Sequence, residues 1–317
     1  MKAVFLDFST MGDGLDLTPL LDVTPNFVCH DVTEAHQVEE RIADADIVYT
    51  NKIQLNDTLL AAAKRLRFIG LTATGTDNID TVTAKRNSIA VANIRDYCTN
   101  SVAEHVFGSL LMLTHNLAAF DRDVQDGAWQ KSVDAFLLTH PVREISGKTL
   151  GIVGYGSLGR GVARVAAGFG MDVLVSARPG SGKVGDGRTA FDDMLTQSDI
   201  ISLHCPLNAK TSNLFSAAQF EKMKDTAILI NTARGGLVDS SALVSALQQG
   251  IIAGAAVDVL PEEPPVNGDP LLDYEGNNLI VTPHVAWASD EARQNAIDEL
   301  AANARAFIAG EERNRVV

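Results

Sequence analysis

A glycine cluster, Gly154-Tyr155-Gly156-Ser157-Leu158-Gly159, follows an apolar run over residues 150–153 and precedes an alanine-rich helical pattern over 161–169. Strand, tight turn and helix start in this order constrain the chain more than any other feature. Glycine permits the turn and the close backbone approach, and the N–H groups at the helix start can hold a pyrophosphate. A Gly-x-Gly-x-x-Gly spacing alone is weak; the flanking strand and helix make it a dinucleotide fingerprint, the alternative being a purely structural glycine turn. The cluster lies near the middle of 317 residues, so a nucleotide fold beginning near residue 100 leaves the preceding stretch to hold a substrate.

With 46% hydrophobic residues the chain can bury a full core, and its length suits two domains. A net charge of −14 repels nucleic acid and anionic membranes, so neither is expected as a partner. Cys29, Cys98 and Cys205 are too few and too scattered for a disulfide framework, which fits a reducing cytoplasm. The N-terminus reads as a short strand interrupted by a charge rather than a signal peptide, and no apolar stretch reaches transmembrane length.

Short apolar runs alternate with helical patterns. Strands are expected at 3–8, 46–50, 67–71 and 89–92, then at 149–153, 172–175, 199–203, 227–231, 252–257 and 279–281. Such alternation argues for parallel βα units. Residues 101–124 read as one helix joining two domains, and 289–309 as a last helix returning to the N-terminal domain. The expected architecture is α/β: two Rossmann-like domains with parallel sheets flanked by helices and a cleft between them. Residues 1–98 plus 286–317 would form a discontinuous substrate domain, and 99–285 the nucleotide-binding domain. The Pro/Gly-rich loop 261–276 is long enough to suggest a functional role.

Three polar residues stand at or just beyond the C-terminal ends of expected strands, where open α/β sheets bind ligands. They are Arg234 in Asn231-Thr232-Ala233-Arg234-Gly235, Glu263 in the block 258–264, and His284 in Thr282-Pro283-His284. Singly, each has a structural explanation: a loop arginine, a solvated glutamate, a histidine closing a strand. Behind a dinucleotide fingerprint they form a coherent set for hydride transfer. A ketone being reduced develops negative charge on oxygen and needs both a cationic partner and a proton donor. Arginine matches a neighbouring carboxylate, histidine carries a proton near neutral pH, and a carboxylate beside the histidine fixes its tautomer. The remaining histidines, His30, His36, His105, His115, His140 and His204, show no metal-ligand spacing, and no metal is expected. His204 follows a strand of the second series and touches either cofactor or only its structural surroundings.

These motifs resemble the D-isomer-specific 2-hydroxyacid dehydrogenases: the fingerprint, Asn-x-x-Arg-Gly at 231–235, Asp-Val…Glu-Pro at 258–264 and Thr-Pro-His at 282–284. Segments 73–80 and 100–104 extend the resemblance over nearly the whole chain, and segments 94–98 and 283–288 are most similar to bacterial glycerate dehydrogenases, also called hydroxypyruvate reductases. The resemblance implies that Arg234 binds the substrate carboxylate and carbonyl oxygen, that His284 is the general acid/base, and that Glu263 orients it. The glutamate directly before the proline selects Glu263 over Glu262. Backbone N–H groups of Thr74 and Gly75 would hold the substrate carboxylate, Trp287 would wall the pocket, and Asn51 and Lys52 would add contacts. Gly154, Gly156 and Gly159 with the backbone of Ser157 and Leu158 would receive the pyrophosphate, while Asp258 and the Thr232 carbonyl would fix the nicotinamide carboxamide. A homodimer through the nucleotide-binding domain is also implied.

One position departs from the pattern of NAD enzymes, which end the second strand of this fold on an acid that binds the ribose. Ala177 stands where that acid would fall, between Ser176 and Arg178. An unopposed Arg178 beside Ser176 would receive a 2′-phosphate, so NADP(H) is expected to serve at least as well as NAD(H). Alternatively, Arg178 stacks on adenine or faces solvent. The expected reaction is hydride transfer between nicotinamide and a small 2-keto acid, hydroxypyruvate/D-glycerate or glyoxylate/glycolate. Two rivals are a phosphite- or formate-type dehydrogenase and a nucleotide-sensing corepressor on the same fold. Formate enzymes carry glutamine where Pro283 stands, and the compact length argues against the corepressor.

Overall fold

The structure is a computed structural model that describes residues 1–180 and 184–317. The chain divides into two compact units, Met1–Cys98 with Ala288–Val317, and Thr99–Trp287.

The first unit contains β1 (Lys2–Phe5), α1 (Thr18–Val23), β2 (Asn26–Cys29), α2 (Val38–Ile42), β3 (Ile47–Thr50), α3 (Asp57–Ala62), β4 (Phe68–Leu71), α4 (Thr81–Arg86) and β5 (Ala90–Ala92). The strands form one parallel sheet in the order β2-β1-β3-β4-β5. Strands β3 and β4 are buried at every residue, as expected for strands covered on both faces. Strand β2 was not among the expected strands. It is a four-residue edge strand, three of its residues exposed, so it lacks the apolar run that marks the others. The strand order reverses between β1 and β3, and there the buried Asp7 carboxylate accepts the backbone N–H groups of Asn51 (2.9 Å) and Lys52 (2.6 Å). The C-terminal helix, Asp290–Ala309, belongs to this unit. Gly70 of β4 has no side chain because Leu300 fills the space: a Cβ there would lie 2.6 Å from Leu300 Cδ1. Phe307 stacks on Phe68 at 4.8 Å between centroids.

The second unit contains α5 (Thr99–His115), α6 (Leu117–Gln125), β6 (Thr149–Val153), α7 (Ser157–Gly168), β7 (Asp172–Val175), α8 (Phe191–Gln197), β8 (Ile200–Leu203), α9 (Ala217–Phe220), β9 (Ile228–Asn231), α10 (Ser240–Gln248), β10 (Gly254–Val257) and β11 (Leu279–Val281). The expected single helix over 101–124 is two helices. Asn116 breaks it in the left-handed conformation (φ 51°), which asparagine tolerates better than most residues, and its Nδ2 donates to the Pro141 carbonyl at 2.6 Å. The six strands are all parallel, in the order β11-β10-β9-β8-β6-β7. Their core gathers Leu203, Phe215, Phe220, Leu229, Leu243 and Val257. The order reverses between β6 and β8, and open α/β sheets bind ligands at the C-terminal strand ends beside such a reversal. Among the described residues no helix is long and apolar enough to cross a membrane.

Candidate active site

The three fingerprint glycines have three different reasons to be glycine. Gly154 leaves β6 with φ 97°, and a Cβ on it would lie 2.5 Å from the backbone of His204 and Cys205 at the end of β8. On Gly159 a Cβ would lie 2.2 Å from the Gly154 carbonyl oxygen, so the helix can approach the turn only without a side chain. At Gly156, by contrast, a Cβ would meet nothing within 4 Å. The open space lies directly before Ser157 and Leu158, the first residues of α7, whose N–H groups have no partner inside the helix. A pyrophosphate fits this cradle: the turn is closed where the fold packs and open where the backbone donors point.

Beyond β7, Ser176 and Ala177 are buried while Arg178 is exposed. The Ser176 hydroxyl donates to the Ala177 carbonyl at 2.7 Å. A second cation, Arg188, which no sequence motif marks, stands here as well. Thr189 bridges Ser176 in parallel register, which brings Arg188 beside the strand end. Its guanidinium stands 5.3 Å from the Tyr155 ring centroid, and its Nη1 lies 3.4 Å from the Ser176 carbonyl. Among the described residues neither Arg178 nor Arg188 forms an ion pair. No local sequence signal marks Arg188, because its position depends on the Ser176–Thr189 pairing.

The segment after β11 is organised by one buried carboxylate. Asp258, at the end of β10 and 2% exposed, accepts the Thr282 hydroxyl (2.6 Å) and the N–H of Val285 (2.9 Å) on Oδ1, and the N–H of Ala286 (2.9 Å) on Oδ2. The Asp258 carbonyl accepts the His284 N–H at 2.7 Å. Held from both sides, His284 adopts φ 58°, a conformation unusual for a residue with a Cβ. Its Nδ1 lies 2.6 Å from Glu263 Oε2, and Glu263 Oε1 accepts the Leu260 N–H at 2.9 Å. Glu263 therefore fixes the tautomer, and Nε2 is left to exchange a proton. The neighbouring Glu262 instead accepts from Asn267 Nδ2 at 2.9 Å. Trp287 Nε1 donates to the His284 carbonyl at 3.0 Å. From α5, Ser101 Oγ donates to the Ala286 carbonyl at 2.7 Å, and His105 Nε2 lies 3.2 Å from Thr282 Oγ1.

Arg234 sits on the loop after β9, and that loop is shaped by its neighbours. Asn231 Nδ2 donates to the Arg234 carbonyl (2.9 Å) while Asn231 Oδ1 accepts from the Ala233 N–H (3.1 Å). A Cβ on Gly235 would lie 2.0 Å from the Leu260 carbonyl carbon, so glycine lets the loop carrying Glu263 pass directly over the arginine's loop. Arg234 Nη1 donates to the Ala233 carbonyl at 2.7 Å. On the same loop, the Thr232 hydroxyl oxygen is buried with no hydrogen-bond partner among the described residues, and so is His204 Nδ1 at the end of β8. In the first unit, the Thr74 hydroxyl donates to the Ile94 carbonyl (3.0 Å) and the Thr74 carbonyl accepts from Asn93 Nδ2 (2.7 Å). Among the described residues no acceptor is found for the N–H groups of Thr74 and Gly75.

Residues 107–286 match the family model described as D-isomer specific 2-hydroxyacid dehydrogenase, NAD binding domain. The chain is 45% identical over 281 residues to a glycerate dehydrogenase of Methylorubrum extorquens, covering 88% of each protein. It is 36% identical over 323 residues to a hydroxypyruvate reductase of Blautia hydrogenotrophica, covering 100% of this chain and 99% of the relative. Among solved structures, an acyclic imino acid reductase in complex with NADPH and D-Arg superimposes with a TM-score of 0.86 at 30% identity, covering 100% of both chains.

His204, half-buried but with Nδ1 fully enclosed, gives a testable consequence. Burial pulls its pKa down to about 4, while the unfolded chain's imidazole titrates near about 6.5. Between these values the unfolded state binds more protons, so the stability that rests on a neutral His204 is fully present above that range and is lost as pH falls toward 4. His204→Gln should therefore make urea-measured stability less steeply dependent on pH across this interval. An unchanged slope would show that the ring titrates freely in the folded protein.

Proposed function

The chain belongs to the D-isomer-specific 2-hydroxyacid dehydrogenase family, and on that premise we propose that hydroxypyruvate and glyoxylate are its keto-acid substrates and that His284, Glu263 and Arg234 carry the reaction. As a member of that family it is an oxidoreductase that uses a nicotinamide cofactor. The observation that carries the assignment of roles is the 2.6 Å contact between His284 Nδ1 and Glu263 Oε2, on loops leaving adjacent strands.

When bound, the nicotinamide supplies the hydride. Arg234 binds the substrate carboxylate through its forked donors and draws charge from the carbonyl oxygen. As C2 accepts the hydride, the carbonyl π pair moves to oxygen, which takes the proton from His284 Nε2. Glu263 holds the Nδ1–H throughout, so the ring presents Nε2 without rotating. In the first unit, the N–H groups of Thr74 and Gly75 are donors of the kind that holds a carboxylate. Ser157 and Leu158, behind the open space at Gly156, would hold the pyrophosphate. Asp258 Oδ2 keeps one lone pair after accepting from Ala286, enough for a carboxamide N–H, with the Thr232 carbonyl as the second acceptor. Trp287, tied to the His284 carbonyl, would form the pocket wall.

Rates of NAD(P)H oxidation with hydroxypyruvate, glyoxylate, pyruvate and oxaloacetate test the substrate class, with the first two expected to give the highest kcat/KM. His284→Ala should lower kcat roughly 100- to 10,000-fold, the range for loss of a general acid. Glu263→Gln should cost less, since only orientation is weakened, and Arg234→Ala should abolish turnover while cofactor affinity stays near wild type. A Glu263→Gln variant worse than His284→Ala would mean the roles are reversed.

For the cofactor, we propose that NADPH is used at least as well as NADH. Ala177 offers no carboxylate to repel a 2′-phosphate, Ser176 follows the strand, and Arg178 and Arg188 are two cations near its end that form no ion pair among the described residues. Ala177→Asp should shift the kcat/KM ratio strongly toward NADH, and Arg178→Ala should weaken NADPH selectively. A wild type strongly preferring NADH, with that ratio indifferent to Arg178, would overturn this reading.

We further propose a homodimer through the nucleotide-binding unit, acting in the cytoplasm. Segment 129–142 exposes Trp129, Val133, Phe136, Leu138 and Val142, more apolar surface than a short solvated stretch ordinarily carries. The three cysteines are free thiols. Sedimentation should give a dimer, and Phe136→Asp with Leu138→Asp should give a monomer. A wild-type monomer would contradict the proposal.

A further inference from the structure

We infer that helix α5 clamps the loop carrying His284, and that His105 is the positioning residue of that clamp. Ser101 and His105 are four residues apart and therefore share one face of the helix. That face meets both ends of the 282–286 loop. Ser101 Oγ donates to the Ala286 carbonyl at its far end (2.7 Å), and His105 Nε2 meets Thr282 Oγ1 at its near end (3.2 Å).

The direction of the second contact follows from counting protons. Thr282 has one hydroxyl proton and gives it to Asp258 Oδ1 at 2.6 Å. The Thr282 oxygen must then accept, so His105 presents Nε2–H. The chain runs from His105 through Thr282 to Asp258, with His105 Nε2 also 3.8 Å from Asp258 Oδ1. Each bond polarises the next. Asp258 in turn holds the N–H groups of Val285 and Ala286, and its carbonyl holds that of His284. Without the donor at His105, the Thr282 hydroxyl is free to turn from Asp258, and the left-handed backbone at His284 loses one of the bonds that over-determine it. His105 has no role in the proton transfer itself; it acts through the geometry of His284.

The catalytic consequence rests on the proposed role of His284, but the clamp does not, and the two can be read apart. The chain has two tryptophans, so a Trp129→Phe background isolates Trp287, whose Nε1–H bonds the His284 carbonyl. In that background, His105→Leu should shift the Trp287 emission of the cofactor-free protein. It should also lower kcat for hydroxypyruvate roughly tenfold or more while changing its KM far less, as loss of alignment does. Glutamine can place an N–H where Nε2 stands, so His105→Gln should restore both readouts. Ser101→Ala provides a second, smaller lesion in the same clamp if the leucine variant does not fold, and should shift the emission in the same direction. Wild-type emission and kcat in both His105→Leu and Ser101→Ala would overturn the clamp, and so would a glutamine variant that restores neither readout. An emission shift in a protein whose wild type reduces no 2-keto acid would uphold the clamp and overturn the catalytic reading alone.

Discussion

The buried carboxylate of Asp258 is the interaction on which the rest of the site depends. A carboxylate taken out of water is costly unless donors surround it. Here the donors come from the segment after β11: a hydroxyl at Thr282 and backbone N–H groups at Val285 and Ala286. Satisfying the charge and shaping the loop are therefore one event. The loop can adopt few conformations that bring all three donors to one residue, and the conformation adopted leaves His284 at φ 58° with Nδ1 on Glu263. The strained backbone at His284 persists because the surrounding bonds over-determine it.

Around this centre, three glycines allow backbones to pass where no side chain fits. Gly154 brings the end of β6 against the end of β8, Gly159 seats α7 on the turn, and Gly235 lets the chain around Leu260 cross the loop of Arg234. The first two shape the turn between β6 and α7, and the third sets the arginine's loop beside that of Glu263. Their effect is steric: each is required by a neighbour closer than about 3 Å to a missing Cβ, below the distances of ordinary non-bonded contact.

Much of this was legible in the chain, for reasons that differ residue by residue. In the second unit β6, β8, β9 and β10 read clearly because strands buried on both faces are continuous apolar runs, and the partly buried edge strands β7 and β11 still carry Val-Leu-Val and Leu-Ile-Val. The edge strand β2 did not, because exposure erases that run. Asn116 ended a helix that hydrophobic periodicity alone would have continued, since left-handed backbone leaves no periodic trace. Glu263 was separated from Glu262 by its place before a proline, and the structure puts Glu263 on His284 and Glu262 on Asn267. Arg178 was visible because it adjoins a strand end. Arg188, its counterpart on Tyr155, was not, since only the pairing of Ser176 with Thr189 brings it there. His105 was weighed only as a metal ligand, and its contact with Thr282 becomes apparent once α5 packs beside β11.

Whether Asp258 holds His284 in place is tested by the steady-state reduction of hydroxypyruvate by the wild type and by Asp258→Asn, with cofactor affinity measured separately by fluorescence. An amide has only one accepting oxygen and would turn an N–H toward a group that itself donates, so the loop must rearrange. Brisk turnover is expected in the wild type and a kcat lower by roughly 100-fold in the variant even at saturating cofactor, the size of effect expected from a displacement near 1 Å. An Asp258→Asn enzyme that binds cofactor and turns over at the wild-type kcat would show that the carboxylate does not hold His284 in a working position.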